Sequence, residues 1–195
     1  MYATAMQYRN SIGMTDTAKD IEIEADLSAV SRYIDGKMGR FFSKDTVAVS
    51  RIYLPERTAT FLLVDDIAET PTSIEVDTEN DGQYTTELTT DDYELMPFNA
   101  TRGPEPWPYT MINLTPWGDL SAFHAGQRVR ITAIFGWPEV PEAIKIATIH
   151  LTAVLRLETP RATRRIAELG DVMETSPIAQ GIVRQLTEQY KVWRL

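Results

Sequence analysis

Residues 128–158 read RVRITAIFGWPEVPEAIKIATIHLTAVLRLE, and a change of rhythm in the middle of this stretch decides the fold. Residues 128–135 read as a short strand, the last of a series. Gly136-Trp137-Pro138 interrupts it, and Pro141 suits the first position of a helix, where its missing N–H costs nothing. From Pro141 to Glu158 the apolar residues Ile144, Ile146, Ala147, Ile149, Leu151, Val154, Leu155 and Leu157 fall on nearly every side. A helix of that kind is expected to be buried between neighbours. Pro160 ends it.

Working towards the N-terminus, residues 44–135 carry strand signals. Val47, Val49, Arg51 and Tyr53 alternate with Ala48, Ser50, Ile52 and Leu54, a period of two. Further short strands are expected at 60–64, 72–77, 83–89, 93–96 and 109–114. Asp81-Gly82 lies between two of them as a hairpin turn. Residues 98–108 are rich in Pro, Gly and Asn and predict a loop. Together the seven strands predict an antiparallel sheet or small barrel. Ahead of them, Ile23, Leu27, Val30, Ile34 and Met38 recur at spacings of four, three, four and four, which predicts an amphipathic helix over about residues 18–40, with Thr15 and Asp16 as capping residues. A shorter helical segment is expected before Gly13.

Beyond Pro160, a short basic helix is predicted over 161–169, stopped by Gly170. A last helix opens at Ser176-Pro177, with Ile178, Ile182, Val183 and Leu186 on one face. Neither helical end buries its apolar face comfortably alone. The expected fold is therefore α+β: a helical bundle formed by residues 1–43 and 136–195, with an inserted acidic antiparallel β domain over 44–135.

The charge of the 195-residue chain is −9, unevenly placed. Residues 1–57 are neutral, residues 58–144 carry 3 basic against 15 acidic side chains, and residues 145–195 carry 8 against 5. No Lys or Arg lies between Arg57 and Arg102, so this middle segment does not grip nucleic-acid phosphates by charge neutralisation. It is open to three readings: a solvated surface, a surface that repels DNA, or a partner for something basic. With no cysteine, disulfides and thiolate metal sites are excluded, and assembly in a reducing cytoplasm is expected. No apolar run is long enough to cross a bilayer. The first thirteen residues show no basic start followed by an apolar core, so no secretory signal is expected.

Catalytic signatures are missing. Nothing matches the phosphate-binding glycine loops, G-x-S-x-G or H-E-x-x-H. Asp77-x-Glu79-x-Asp81-Gly82 opens like a calcium loop, but Leu88 stands where the closing Glu belongs and the flanks read as strands, so a hairpin turn is expected. His150 is expected at a helix interface and His124 in an exposed loop. Trp107, Trp117 and Trp137 stand beside Pro or Gly and are expected to pack loops. No enzyme activity, cofactor or metal is expected.

Two groups of residues are candidate contacts. Arg161, Arg164 and Arg165 share a helix face; they either pair with Glu158 and Glu168 or meet DNA phosphates or an acidic partner subunit. The six residues Tyr190, Lys191, Val192, Trp193, Arg194 and Leu195 combine two aromatics, two cations and two aliphatics. Aromatic and Arg side chains dominate interface centres, so this segment either docks on a partner or folds back on the chain's own helices.

Three stretches resemble the head-to-tail connector (adaptor) family of long-tailed bacteriophages. The first is Ile12-Gly13-Met14-Thr15-Asp16-Thr17-Ala18 leading into Ala29-Val30-Ser31-Arg32-Tyr33-Ile34-Asp35 and Gly39-Arg40-Phe41-Phe42. The second is Asp91-Asp92-Tyr93-Glu94-Leu95-Met96-Pro97-Phe98-Asn99-Ala100 with Trp107-Pro108-Tyr109. The third runs from Gly126-Gln127-Arg128 through Phe135-Gly136-Trp137-Pro138 to Pro141-Glu142-Ala143-Ile144. The resemblance implies a virion protein of the neck, a dodecameric ring beneath the portal protein that extends the DNA channel and offers a platform to a stopper or other tail-side completion protein. Double-stranded DNA would pass without sequence-specific binding and no membrane would be involved. The portal would be the receiver of residues 190–195. Two alternatives stand beside it: another morphogenesis part, such as a stopper or tail terminator, and a small oligomeric carbohydrate-binding or hydrolytic protein.

Overall fold

A computed structural model describes residues 1–100, 102–103, 105–158 and 166–191 (backbone alone at 158 and 166–169). The chain divides into two units, Met1–Phe42 with Val140–Leu195, and Ser43–Glu139.

The second unit contains seven strands among the described residues: β1 (Val49–Tyr53), β2 (Phe61–Ile67), β3 (Ser73–Asp77), β4 (Thr86–Glu87), β5 (Tyr93–Met96), β6 (Tyr109–Leu114) and β7 (Arg128–Ala133). They form two antiparallel sheets, ordered β1-β7-β3-β4 and β2-β6-β5. Single bridges join Ala59 to Phe123 and Ile67, the last residue of β2, to Phe135 just after β7. Alternation selects the core. Along β7, Val129, Ile131 and Ala133 are buried, while Arg128, Arg130 and Thr132 point outward. Ile74 and Val76 of β3 and Ile112 and Leu114 of β6 join the same cluster, with Phe123 and Phe135.

Residue 136 has to be glycine. Its φ is +106°, and a Cβ there would lie 2.1 Å from the Ser43 carbonyl oxygen and 2.8 Å from the Lys44 Cα. The chain just after β7 therefore presses backbone to backbone on the chain just before β1. Hydrogen bonds hold it there: the Asp45 N–H donates to the Phe135 carbonyl at 2.8 Å, and the Gly136 N–H to the Asp66 carbonyl at 2.7 Å.

The first unit contains five helices among the described residues: α1 (Ala5–Ser11), α2 (Asp20–Met38), α3 (Glu142–Glu158), α4 (Ile166–Thr175) and α5 (Pro177–Tyr190). A capping box starts α1, with the Gln7 N–H donating to Thr4 Oγ1 and the Thr4 N–H to Gln7 Oε1. On α2 the predicted stripe Ile23, Leu27, Val30, Ile34 and Met38 is fully buried. The helix starts later than expected, after Lys19 and without a side-chain cap, and Asp16 accepts the Ala18 N–H instead. In α3, Ile144, Ala147, Leu151, Val154 and Leu155 are buried. The Thr148 and Thr152 hydroxyls are buried too, each donating to the carbonyl four residues earlier. However, Ile146 and Leu157 are 47% and 85% exposed, so the helix has an open side. Helix α4 runs through Gly170 rather than stopping there, and Ser176 precedes α5 without a side-chain cap bond.

The expected helical bundle carrying a β insertion needs correction. The chain is α+β, with two antiparallel sheets of four and three strands and five small helices of 7 to 19 residues. Four-helix bundles pack helices nearly antiparallel around a shared core of heptad positions, whereas α1 makes only two turns and seven strands fill the other unit. The single sheet or barrel expected from the strand signals is likewise two sheets.

Replacing Gly136 by Ala should destabilise the protein by about 2–4 kcal/mol, lowering its melting temperature by roughly 5–15 °C. Circular dichroism melting measures this; an unchanged melting temperature would show that the backbone contact with Ser43 is not tight.

Candidate assembly surfaces

The end of α5 is fixed by aromatic packing. Tyr190 is 1% exposed and meets the Phe42 ring edge-on at 5.5 Å, and Phe42 meets Tyr2 edge-on at 5.9 Å. Arg40 Nη1 donates to the Tyr190 carbonyl at 3.1 Å. The Tyr2 hydroxyl accepts the Phe42 N–H at 2.9 Å and donates to Asp35, which also pairs with Arg32 at 2.9 Å. Burial raises the Asp35 carboxyl above its ordinary value, against the opposing pull of the Tyr2 hydrogen bond and Arg32. Burial also raises the Tyr2 hydroxyl. Of the six residues expected to meet a partner, Tyr190 is thus packed inside its own unit and Lys191 is exposed. Val192, Trp193, Arg194 and Leu195 lie outside the described residues, as do Arg161, Arg164 and Arg165.

The outward face of the four-stranded sheet is a set of closed ion pairs. Arg130 grips Glu75 with two hydrogen bonds, at 2.9 and 2.5 Å, and stacks 4.1 Å over the Tyr84 ring. That grip holds the Glu75 carboxyl below its ordinary value. Asp77 is fully buried; its oxygens accept the N–H groups of Asp81 and Gly82, and Arg128 lies 3.5 Å away. The carboxylate that opened the calcium-like pattern therefore caps the β3–β4 turn. On the opposite side of the same sheet, Arg51, paired in register with the buried Ile131, meets Asp65 of β2 at 2.9 Å and covers the Phe135 ring at 3.9 Å.

The tryptophans divide. Trp107 and Trp137 pack on each other with ring centroids 4.9 Å apart and planes tilted by 50°, and Trp137 Nε1 donates to Asp66, so these two pack loops as expected. The open hollow beside Trp107 is lined by Pro97, Asn99, Ala100, Gly103 and Glu105, with Glu105 as the one ionisable group of its described lining. Trp117, by contrast, is 74% exposed. It sits in the tight turn Thr115-Pro116-Trp117-Gly118, closed by the Gly118 N–H donating to the Thr115 carbonyl at 3.2 Å. Asp92, itself buried, fastens that turn: it accepts the Asp119 N–H at 3.1 Å, and the Thr89 N–H and hydroxyl at 2.6 and 2.7 Å. The Asp92 carbonyl accepts the Thr115 N–H, and the Thr115 hydroxyl donates to the Asp91 carbonyl. A Cβ on Gly118 would come within 3.0 Å of Asp92 Cα. Pro at the second turn position and Gly at the fourth were visible in the sequence, but the latch from Asp92 was not. His150 is exposed on α3 rather than at a helix interface, and His124 is exposed in its loop.

No family model matches the chain, and no curated protein matches it. Among solved structures, a chain of the neck of an empty gene transfer agent (GTA) particle computed with C6 symmetry aligns over 98% of this chain and 90% of its own length, with a TM-score of 0.57 and 16% identity. A chain of the virion of a native gene transfer agent particle aligns over the same shares with a TM-score of 0.47 and 15% identity. At 16% identity the first likeness is one of fold, and it embraces both units of the chain.

The hydrogen bonds from the Thr89 hydroxyl, and then from the Asp119 and Thr89 N–H groups, hold the Asp92 carboxyl below its ordinary value. Its contribution to stability is therefore complete above the ordinary aspartate value and is lost as pH falls through the lower value in the folded protein. Asp92→Asn removes the charge and keeps the shape. The variant should melt below the wild type at neutral pH, and the two should converge as pH drops beneath the ordinary aspartate range. A gap independent of pH would show that the ionised latch is not what fastens the turn.

Proposed function

We propose that this chain is a structural subunit of the neck of a phage-like particle. Within that role it acts as a head-to-tail adaptor: a ring beneath the portal that extends the DNA channel and carries the next tail-side component. One observation supports the reading above others, the fold shared over 98% of the chain with a neck chain of a gene transfer agent particle. The three stretches that resemble the adaptor family point the same way. The C6 symmetry of that neck is compatible with twelve copies, since twelve is a multiple of six.

In this role the protein turns over no substrate and needs no cofactor. Its work is association: identical head-to-tail contacts close a ring when the rotation between neighbours divides a full turn. The acidic β unit has a place in such an assembly, because a conduit that DNA traverses works best if it does not hold phosphates.

Particles made without this protein should accumulate as filled or leaking heads that lack tails, counted by negative-stain microscopy. Normally tailed particles in its absence would overturn the adaptor reading. Deleting residues 192–195 tests the portal contact. The truncated subunit should melt close to the wild type and lose binding to purified portal protein. A melting temperature lowered by several degrees, the consequence of about 1–2 kcal/mol of lost burial, with portal binding kept, would instead place the segment against its own subunit.

A further inference from the structure

We infer that Trp117 is a preformed docking anchor for a second protein, one that presents an apolar pocket rimmed by lysine or arginine. The first ground is mechanical. Trp117 is 74% exposed, yet the turn that carries it is fastened on both sides of it. Pro116 fixes one backbone angle, Gly118 admits the close approach of Asp92, and five hydrogen bonds from Thr89, Thr115 and Asp119 end on the Asp91–Asp92 segment. The indole is therefore presented, and little conformational freedom is lost when a partner covers it. Tryptophan is also the side chain most enriched at energetic centres of interfaces.

The second ground is charge, which selects the occupant. Two exposed ionisable residues belong to the turn and the segment that fastens it, Asp119 and Asp91, both acidic. The β unit that carries them, Ser43–Glu139, has 16 acidic and 6 basic residues. Four of its cations are already engaged: Lys44 with Glu69, Arg51 with Asp65, Arg128 with Asp77 and Arg130 with Glu75. A second copy meeting this turn with its own β unit would bring acid against acid. A basic rim around an apolar pocket complements both the indole and the two carboxylates. On the neck reading, on which this assignment of the occupant rests, that partner is the tail-side component, since that reading gives residues 192–195 to the portal.

The test uses the full chain with two purified probes from the same particle, the portal protein and the tail-side completion protein, and with the chain itself. Trp117→Ala should melt like the wild type and bind portal equally. It should bind the tail-side protein at least about tenfold more weakly, with Trp117→Phe intermediate. Raising the salt from about 0.05 to 0.5 M should weaken the wild-type complex, because the rim charges become screened. Equal binding of the tail-side protein by Trp117→Ala overturns the inference and leaves the neck reading standing. So does a loss confined to portal binding or self-association, a complex indifferent to salt, or a variant that melts well below the wild type. A wild type that binds neither probe removes the neck reading, and this inference with it.

Discussion

The β unit depends on one close approach. At Gly136 the chain leaving β7 lies against the chain approaching β1, with no room for a side chain between them. Around that point Phe135 accepts the Asp45 N–H and bridges Ile67, Asp66 accepts both the Gly136 N–H and the Trp137 indole, and Arg51 lies over the Phe135 ring. The segments before β1, at the end of β2 and after β7 thus converge on three consecutive residues, Phe135-Gly136-Trp137. The antiparallel pairing of β1 with β7, from Val49 with Ala133 to Tyr53 with Val129, joins chain segments about eighty residues apart. Closing so long a loop is costly in entropy, and the junction at Gly136 helps to hold it closed.

What could be read from the sequence was what is local. The stripe of α2 repeats with the helix period, and every member is buried, because a face defined by five residues leaves the backbone no other way to hide them. The strands were legible for the same reason, and so was the Asp-Gly hairpin between β3 and β4. Partition of seven strands into sheets of four and three was not, since alternation says which side of a strand is inward and nothing about its neighbour. Gly170 was misjudged because a glycine weakens a helix by only about 1 kcal/mol, which packing of the rest of α4 overrides. Thr15 and Asp16 were expected to cap α2, but Asp16 accepts the Ala18 N–H in the turn ahead of the helix, which starts two residues later than expected, after Lys19.

The candidate surfaces divide along the same line. Tyr190 looked like part of a sticky terminus, and only the placement of Phe42, about 150 residues earlier in the chain, shows that its ring is an internal anchor. The three tryptophans beside Pro or Gly looked alike in sequence. What separates Trp117 from Trp107 and Trp137 is whether a second aromatic ring lies across it, a fact of tertiary structure. Its firm mounting depends on Asp92, which comes from the segment before β5 and accepts an N–H 27 residues later in the chain.

The closed ion pairs on the outer face of the four-stranded sheet bear on how this surface meets a polyanion. A protein that binds DNA releases condensed counterions from the phosphates it neutralises, and that release gives the contact both its strength and its sensitivity to salt. Arg128 and Arg130 are the cations of β7, and each already faces a carboxylate of β3. To meet a phosphate either would first have to abandon its carboxylate, leaving Asp77 buried or Glu75 uncovered, so the exchange gains little. On the proposed neck role, nucleic acid passing such a sheet would keep its ion atmosphere.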